Sequence, residues 1–262
     1  MKKPDTLKEI VLKKKERVLL AKQNLTEDSL KAQINNLTPP RPFIEAINKP
    51  RSISLIAEIK RQSPSSGIIR QDFNHQEIAK IYQDSGVQAI SVLTEEDYFG
   101  ASPAYINEIK GLINLPILRK DFILEAYQVY ESRAFGADAI LLIADLLAKE
   151  KLAELLQLAD TLGIDCLVEI HTEKDLKKVL SLKVPLLGIN NRDLHTLELD
   201  FKTTEKLFPL IPKDKVVVVE SGIKSYQDVL FLKILGVSAI LIGEAFMQAQ
   251  DIHKKIEEIM GW

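Results

Sequence analysis

The sequence has 262 residues, a formal net charge of -2 and a hydrophobic content of 46%. This length suits one large α/β domain or two small ones, and it is long enough to bury a full core. The near-neutral charge gives no reason to expect nucleic acid or an anionic membrane as a partner, and no apolar run approaches the ~20 residues that span a bilayer. We therefore expect a cytoplasmic protein without a secretory signal, in which the single cysteine, Cys166, is a core residue.

The first 50 residues predict a helical N-terminal extension. Residues 7–23 place apolar side chains among lysines in a helical pattern. Thr26 or Asp28 suits the N-cap of a second helix. Prolines interrupt the pattern after that helix, and residues 43–47 predict one more helical turn.

Three consecutive lysines, residues 13–15, lie within the first predicted helix. Such a run could mark contact with an anionic partner, but a solvated helix face is the commoner explanation and the one we expect. An extension of this size is expected to lie over one end of the domain that follows it.

Beyond the extension, four similar segments begin with a glycine and lead into an apolar run. They start at Gly86, Gly136, Gly163 and Gly236. Glycine is expected just past the C-terminus of a helix, where a positive φ is needed. The apolar runs are continuous rather than alternating, which is typical of parallel strands buried on both faces. Their spacings are close to two, one and three multiples of about 25 residues, near the ~30-residue βαβ repeat.

Counting the apolar run that begins at Ile53 as the first strand predicts eight strands in all. The strands missing from the glycine series are apolar runs at residues 116–119, 185–189 and 216–219. Eight strands, each followed by a helix, predict a (β/α)8 TIM barrel, whose typical length is ~250 residues. The alternative, a doubly wound open sheet, needs fewer strands and usually a glycine-rich turn after the first, which is absent. We predict a single barrel domain over residues 1–262, with residues 1–50 as its extension.

Charged and polar side chains follow the predicted strands where each strand ends. In chain order they are Glu58, Lys60, Thr94, Lys120, Glu169, Asn190, Arg192, Glu220 and Ser221, and Gly243 follows the last predicted strand. Active sites of (β/α)8 barrels are built at these C-terminal strand ends. Any one lysine or glutamate here is typical of a solvated loop or a structural ion pair. Three carboxylates and three cations at one mouth are hard to assign to stability alone, because each adds a desolvation cost.

The last two predicted strands end in glycine-containing turns, Ser221-Gly222 and Gly243-Glu244. Glycine lets backbone N–H groups approach an anion closely, and the loops after strands seven and eight form the recurrent phosphate site of these barrels. Two ordinary turns are the alternative interpretation. The four histidines lack metal-ligand spacing, and the sequence has no Walker loop, dinucleotide fingerprint or nucleophile elbow, so neither metal nor cofactor is predicted.

Seven motifs, taken jointly and in order, resemble the indole-3-glycerol phosphate synthase family. They are AEIKRQSPSSG (57–67), VLTE (92–95), LRKDFI (118–123), LVEIH (167–171), GINNRDL (188–194), ESGI (220–223) and GEAFM (243–247). The resemblance covers the whole chain, including the extension. Two positions depart from the family's pattern: Ser66, where a lysine is frequent, and Glu244, where a small hydroxyl residue is common beside the phosphate.

The resemblance implies an enzyme of tryptophan biosynthesis. The family closes the indole ring of 1-(2-carboxyphenylamino)-1-deoxyribulose 5-phosphate and releases carbon dioxide and water. It implies a phosphorylated small molecule as partner and no cofactor. We expect a monomer, with a homodimer as the alternative. Such a substrate fits a mouth with both charges and an anion site, because it has a phosphate at one end and an aromatic carboxylate at the other.

The resemblance also implies roles for individual residues. Lys120 would be the general acid on the substrate carbonyl, with a pKa that nearby cations and partial burial lower. Lys60 would hold the substrate carboxylate, Glu169 would act in dehydration, and Glu58 would orient the lysines and help proton transfer. The catalytic set is Glu58, Lys60, Lys120, Glu169 and Asn190, and the substrate-binding set is Ser63, Arg192, Glu220, Ser221, Gly222 and Gly243.

Two other classes of function stay open at the level of the sequence. Another phosphate-binding barrel, such as phosphoribosylanthranilate isomerase or a Schiff-base aldolase using Lys120, is the first. A non-catalytic barrel that serves as a binding or assembly subunit is the second. An aldolase would be trapped covalently by borohydride with its carbonyl substrate, and a non-catalytic barrel would have little reason to carry Glu58, Lys60, Lys120 and Glu169 at one mouth.

Overall fold

The computed structural model describes residues 5–262, so residues 1–4 of the predicted extension lie outside the described residues. The strands are β1 (Ser54–Ile59), β2 (Gln62–Ser63), β3 (Gly67–Ile68), β4 (Ala89–Leu93), β5 (Ile117–Lys120), β6 (Ala139–Ile143), β7 (Asp165–Ile170), β8 (Leu186–Asn190), β9 (Val216–Glu220) and β10 (Ala239–Ile242). The helices are α1 (Thr6–Asn24), α2 (Glu27–Ile34), α3 (Phe43–Ile47), α4 (His75–Asp84), α5 (Ala104–Lys110), α6 (Ala126–Ala134), α7 (Lys149–Thr161), α8 (Glu173–Leu180), α9 (Lys202–Leu207), α10 (Tyr226–Leu235), α11 (Glu244–Gln248) and α12 (Ile252–Met260). Among the described residues, no helix combines the length and the apolar character that crossing a membrane requires.

Eight parallel strands close into a barrel in the order β1-β10-β9-β8-β7-β6-β5-β4, and β1 pairs with both β4 and β10. The predicted TIM barrel is therefore confirmed. The prediction of glycines with positive φ just past helix ends is confirmed as well, for Gly86, Gly136, Gly163 and Gly236. The segment after β1 forms the short antiparallel hairpin β2–β3 outside the barrel.

Apolar side chains fill both the barrel interior and the layer between strands and helices. Ile56, Leu118, Leu167 and Val218 belong to a buried cluster inside the barrel, and two larger clusters hold the surrounding helices to the outer faces of the strands. Burial on both faces explains why the strand sequences are continuously apolar. Cys166 is a buried free thiol in one of the outer clusters, as expected.

The N-terminal extension covers both ends of the barrel, so the expectation that it lies over one end is wrong. Leu7 and Ile10 of α1 line the cavity at the C-terminal ends of the strands. At the opposite end Phe43 and Ile47 of α3 are fully buried. There, the backbone N–H of Ile44 donates a hydrogen bond of 3.0 Å to Asp165, the first residue of β7.

Between these two ends the extension runs along the side of the barrel. Thr26 caps α2 by accepting a hydrogen bond from the N–H of Ser29, as predicted. The hydroxyl of Tyr127 on α6 donates to the carbonyl of Leu25 at 2.9 Å, and Arg133 of the same helix donates to the carbonyl of Thr38 at 2.6 Å. Packing against α6 therefore fixes the path of the extension from the mouth, at the C-terminal ends of the strands, to the opposite end of the barrel, which we call the floor.

The solvated lysine face predicted for residues 13–15 is wrong at its central residue. Lys13 and Lys15 are exposed, but Lys14 is only 3% exposed. Lys14 lies on the same buried stripe of α1 as Ile10 and Val18. Its Nζ forms an ion pair of 2.8 Å with the buried carboxylate of Asp121.

Candidate active site

One cavity of about 770 Å³ opens at the C-terminal ends of the barrel strands. It is lined by all eleven residues that the sequence assigned to a site: Glu58, Lys60, Ser63, Lys120, Glu169, Asn190, Arg192, Glu220, Ser221, Gly222 and Gly243. The structure thus brings these residues together, while their individual roles stay predictions. Within residues 5–262, no group of three or more histidine, cysteine, aspartate or glutamate side chains is arranged to hold a metal ion.

An ion pair occupies the end of β1. Lys60 Nζ lies 3.0 Å from Glu58 Oε1, and both side chains are largely buried. Gly243, which follows β10, leaves room for this pair. A Cβ at that position would lie 2.6 Å from Glu58 Oε1 and 2.8 Å from Glu58 Cβ. The sequence assigned Gly243 to phosphate contact alone, and this close approach is a second reason for glycine there.

Lys120, at the end of β5, lies between two buried carboxylates. Its Nζ is 3.2 Å from Glu220 Oε2 and 3.6 Å from Glu169 Oε2. His171 Nε2 lies 3.2 Å from Glu169 Oε1. Gly188 on β8 makes space for this cluster, because a Cβ there would lie 2.5 Å from Glu220 Oε1.

The two carboxylates beside Lys120 have opposite pKa shifts. Burial raises the pKa of Glu220 to about 7, with the negative charge of Glu169 adding to the effect and Lys120 opposing it. Burial also acts to raise the pKa of Glu169, but the charges of Lys120 and His171 outweigh it and lower that pKa to about 2. Glu169 is therefore ionised at neutral pH, whereas Glu220 titrates near it.

The pKa of Lys120 shifts in the direction opposite to the one predicted. Burial does act to lower the pKa of this lysine, but Glu220 and Glu169 outweigh burial and raise it. The expectation was wrong because the charges nearest to Lys120 Nζ are carboxylates rather than cations. Lys120 therefore carries its proton at neutral pH.

A further ion pair in the lining joins Arg192 to Glu244, with 3.3 Å between Nη2 and Oε2. Ser66 Oγ donates a hydrogen bond of 3.0 Å to Glu244 Oε1. Ser66 and Glu244 are the two departures from the family pattern, and the structure places them in contact. Asn190 Oδ1 accepts a hydrogen bond of 3.0 Å from the backbone N–H of Arg192, which holds the turn after β8.

The turn after β9 contains two consecutive residues in the left-handed region, Ser221 with φ of 67° and Gly222 with φ of 87°. This conformation costs a non-glycine residue on the order of 1 kcal/mol, and it persists where surrounding contacts enforce it. Asn191 Nδ2 supplies such a contact by donating a hydrogen bond of 3.1 Å to the carbonyl of Ser221. Strained residues of this kind cluster at ligand sites.

Thr94, another of the strand-end residues, does not line the cavity. Its side chain is buried behind the barrel mouth, where Oγ1 donates a hydrogen bond of 2.6 Å to Asp121 Oδ2. Arg119 Nε donates to the same Thr94 oxygen at 3.1 Å. Thr94 therefore belongs to a polar network that supports the end of β5.

The cavity has an apolar wall that the sequence did not assign to the site. Leu7 and Ile10 of α1 contribute to it together with Phe99 and Phe122. The rings of the two phenylalanines lie 6.2 Å apart. The helical spacing of Leu7 and Ile10 reveals an apolar stripe, but only the fold shows that the stripe lies on the barrel mouth.

Comparison with known proteins gives the family. A family model described as indole-3-glycerol phosphate synthase matches residues 7–259. The chain belongs to the indole-3-glycerol phosphate synthase family. The indole-3-glycerol phosphate synthase of Acetivibrio thermocellus is 48% identical over 254 residues, which cover 96% of this chain and 98% of that relative. The one of Desulforamulus reducens is 46% identical over 257 residues, which cover 97% and 96%.

As a member of the indole-3-glycerol phosphate synthases, the chain is a carboxy-lyase of tryptophan biosynthesis. This family match argues against the isomerase, the aldolase and the non-catalytic barrel. Among solved structures, a mutant tryptophan synthase α-subunit from Pyrococcus furiosus matches with a TM-score of 0.60 at 18% identity, covering 80% of this chain and 98% of that one. A likeness at this level of identity shows the shared barrel fold alone.

Proposed function

We propose that the lining of this cavity carries out the indole-3-glycerol phosphate synthase reaction with Lys120 as the general acid. The observation that carries the assignment is the position of Lys120 Nζ, 3.2 Å from Glu220 and 3.6 Å from Glu169. These carboxylates keep the lysine protonated, as a general acid must be when the substrate arrives. The substrate is a phosphorylated small molecule, 1-(2-carboxyphenylamino)-1-deoxyribulose 5-phosphate.

In ring closure, the aromatic carbon that bears the carboxylate forms a bond to the substrate's carbonyl carbon. Lys120 Nζ gives its proton to the carbonyl oxygen, which becomes a hydroxyl. Loss of carbon dioxide returns its bonding electron pair to the ring. In the dehydration Glu169, which its low pKa keeps ionised at neutral pH, takes a proton from the neighbouring ring carbon, and the C–H electron pair forms the new C=C bond as the C–O bond breaks. Glu169 passes this proton to the departing hydroxyl, which leaves as water, and Lys120 regains its own proton from solvent.

The two ends of the substrate are proposed to meet different parts of the lining. Lys60 binds the aromatic carboxylate, and the apolar wall formed by α1 and the phenylalanines packs against the ring. The backbone N–H groups of Gly222 and Gly243 bind the phosphate. Asn190, Arg192, Glu220 and Ser221 bind hydroxyl and carboxylate groups of the substrate, and Ser63 of the β2–β3 hairpin contacts it from the side of β1.

The charge state of Lys120 also argues against Schiff-base chemistry at this site. A lysine that attacks a carbonyl must first lose its proton, so such lysines have a lowered pKa. The pKa of Lys120 is raised instead. We therefore expect that borohydride does not trap the protein covalently with its carbonyl substrate.

The direct test replaces the acid. Lys120→Met removes the proton and keeps the length of the side chain, and turnover should fall at least ~10²-fold. Turnover is measured by the indole fluorescence that appears from the carboxyphenylamino substrate. Lys49→Met, at an exposed lysine between α3 and β1, is the matched control and should keep wild-type turnover. Near-normal turnover of folded Lys120→Met would overturn the assignment.

We propose further that the enzyme acts in the cytoplasm as a monomer. In support, all eleven predicted site residues come from one chain and line one cavity, so no second copy is needed to complete it. Light scattering on the eluting protein should give a mass near 29.5 kDa. A mass of twice that value at assay concentrations would favour the homodimer.

A further inference from the structure

The buried lysine of α1 has no part in the proposed reaction and does not line the cavity. Its side chain is 4% exposed, although the lysines on either side of it, residues 13 and 15, are exposed. A lysine is almost never fully buried unless a partner compensates its charge. The burial of Lys14 therefore needs a specific explanation.

The partner of Lys14 is Asp121, whose side chain has no exposed surface. Lys14 Nζ lies 2.8 Å from Asp121 Oδ1. The other oxygen, Oδ2, accepts hydrogen bonds of 2.6 Å from Thr94 Oγ1 and 3.0 Å from Arg119 Nη2. Arg119 in turn pairs with Glu131 on α6 at 2.8 Å. We name these five residues, Lys14, Thr94, Arg119, Asp121 and Glu131, the buried network.

The buried network surrounds the backbone of Lys120. Arg119 and Asp121 are its two chain neighbours, and successive side chains of a strand point to opposite faces. The buried side chain of Arg119 therefore lies behind the barrel wall, while that of Lys120 lies in the cavity. Asp121, which follows the end of β5, contacts Arg119 and also contributes to the cavity lining. In addition, the backbone N–H of Thr94 donates a hydrogen bond of 3.1 Å to the carbonyl of Lys120.

We propose that Lys14 is a positioning residue for Lys120, acting through Asp121. By pairing with Asp121, Lys14 ties α1 to the end of β5 and holds Lys120 Nζ at its distances of 3.2 and 3.6 Å from Glu220 and Glu169. This inference rests on the proposed function, because it concerns the residue proposed as the general acid. It makes the extension a contributor to proton transfer as well as a cover over the mouth.

A purely structural role for Lys14 makes a different prediction. If the side chain serves only to fill space between α1 and the barrel, methionine fills much the same volume and turnover per folded molecule stays normal. If it positions Lys120, loss of the ammonium group removes one partner of Asp121, which keeps only its other contacts, and the strand end shifts. The value of kcat then falls while substrate binding is unchanged.

The experiment compares Lys14→Met with Lys15→Met, an exposed neighbour on the same helix. We expect kcat per folded molecule of Lys14→Met to fall about tenfold or more, with KM within about threefold of wild type and a changed pH profile of kcat. Lys15→Met should match wild type in all three. Lys14→Arg, which keeps a charge for Asp121, should restore kcat to within about threefold of wild type.

Wild-type kcat and pH profile for folded Lys14→Met would overturn the inference, even if the variant unfolds more easily. If that variant does not fold, the double variant Lys14→Met/Asp121→Asn is measured instead. It removes both charges of the ion pair, so neither is left buried without its partner. Slow turnover of the folded double variant supports the inference, and wild-type turnover overturns it. The Lys120→Met variant distinguishes the two proposals. Rapid turnover by Lys120→Met would overturn the proposed function. Slow turnover by Lys120→Met together with wild-type turnover by Lys14→Met would overturn only the present inference.

Discussion

At the scale of single residues, Glu220 is a carboxylate whose charge changes near neutral pH. Its pKa is raised to about 7 by burial and by Glu169, so it loses its proton as the pH rises through neutrality. Only the ionised carboxylate attracts Lys120. We therefore expect kcat/KM of the wild type to rise with pH through about 7 and Glu220→Gln to lack that rise.

The measurement is the pH profile of kcat/KM for both enzymes with the same substrate. The substrate's phosphate titrates in the same range, but it does so equally for both proteins, so the difference between the profiles isolates Glu220. A rise through neutrality that persists in Glu220→Gln would assign this titration to another group.

A second prediction at this scale concerns Gly243. Alanine there would bring a Cβ to 2.6 Å from Glu58 Oε1, and no positive φ is involved, because φ is -131°. The Glu58–Lys60 pair must then move. Because small displacements of catalytic groups are costly, we expect kcat/KM to fall about 10²-fold while the barrel stays folded.

Gly111 provides the matched control for this glycine. It has φ of -80°, and a Cβ there would meet nothing within 4 Å. Gly111→Ala should therefore keep wild-type kinetics. If Gly243→Ala is as active as Gly111→Ala, the close approach to Glu58 has no catalytic consequence.

At the scale of helices and strands, the sequence predicts most of the architecture because each local signal agrees with the fold. Continuous apolar runs, glycines at helix ends and the cap at Thr26 all reappear as predicted. Strand-end positions also predict which side chains share a mouth, since parallel strands end on the same side. The motif at residues 118–123 thus predicts that Lys120 lies at the C-terminal end of a strand, as it does in the structure.

The surface that a helix packs against is not encoded in its local sequence pattern, and α1 is the example. Lys14 looks like one of three solvated lysines until α1 is seen against the end of β5. Its spacing with Ile10 and Val18 is the one local signal that could have marked it as buried. The raised pKa of Lys120 was missed for a related reason: the sign of the shift depends on distances to Glu220 and Glu169, which no spacing in the chain reveals.

The floor of the barrel supports a prediction about stability. Phe43 of α3 is fully buried in the cluster that fills the barrel interior. Phe43→Ala should reduce the free energy of unfolding by ~3–5 kcal/mol, because it leaves a cavity. Turnover should stay at the wild-type level, since Phe43 is not part of the cavity lining. Urea unfolding and the fluorescence assay measure the two effects.

Leu12, which is 63% exposed on α1, is the control for this substitution, and Leu12→Ala should change stability by no more than ~0.5 kcal/mol. We propose that residues 1–262 form one cooperative domain, so a single unfolding transition is expected for both proteins. An early transition in Phe43→Ala, with the barrel unfolding later as in wild type, would contradict that proposal.

At the scale of the whole molecule, the two ends of the barrel differ: one is packed with apolar side chains that stabilise the fold, and the other holds the charged active site. The N-terminal extension contacts both ends. The floor is closed by apolar packing and by backbone contacts to Asp165, whereas the mouth holds buried charges that oppose folding unless they are paired. Glu220, with its raised pKa, is ionised at a cost to stability, and Glu169, with its lowered pKa, adds stability when ionised. The contribution of the active site to the free energy of unfolding therefore depends on pH.

Glu169 provides the test of this dependence in acid. Its pKa falls from an ordinary 4.5 to about 2 in the folded protein, so its contribution to stability is complete above about pH 4.5 and disappears as the pH falls toward 2. The difference corresponds to ~3 kcal/mol. Urea unfolding of wild type and Glu169→Gln at a series of pH values should show the wild type losing that much more stability between pH 5 and its acid limit. Parallel curves for the two proteins would mean that Lys120 and His171 do not stabilise the Glu169 carboxylate in the folded state.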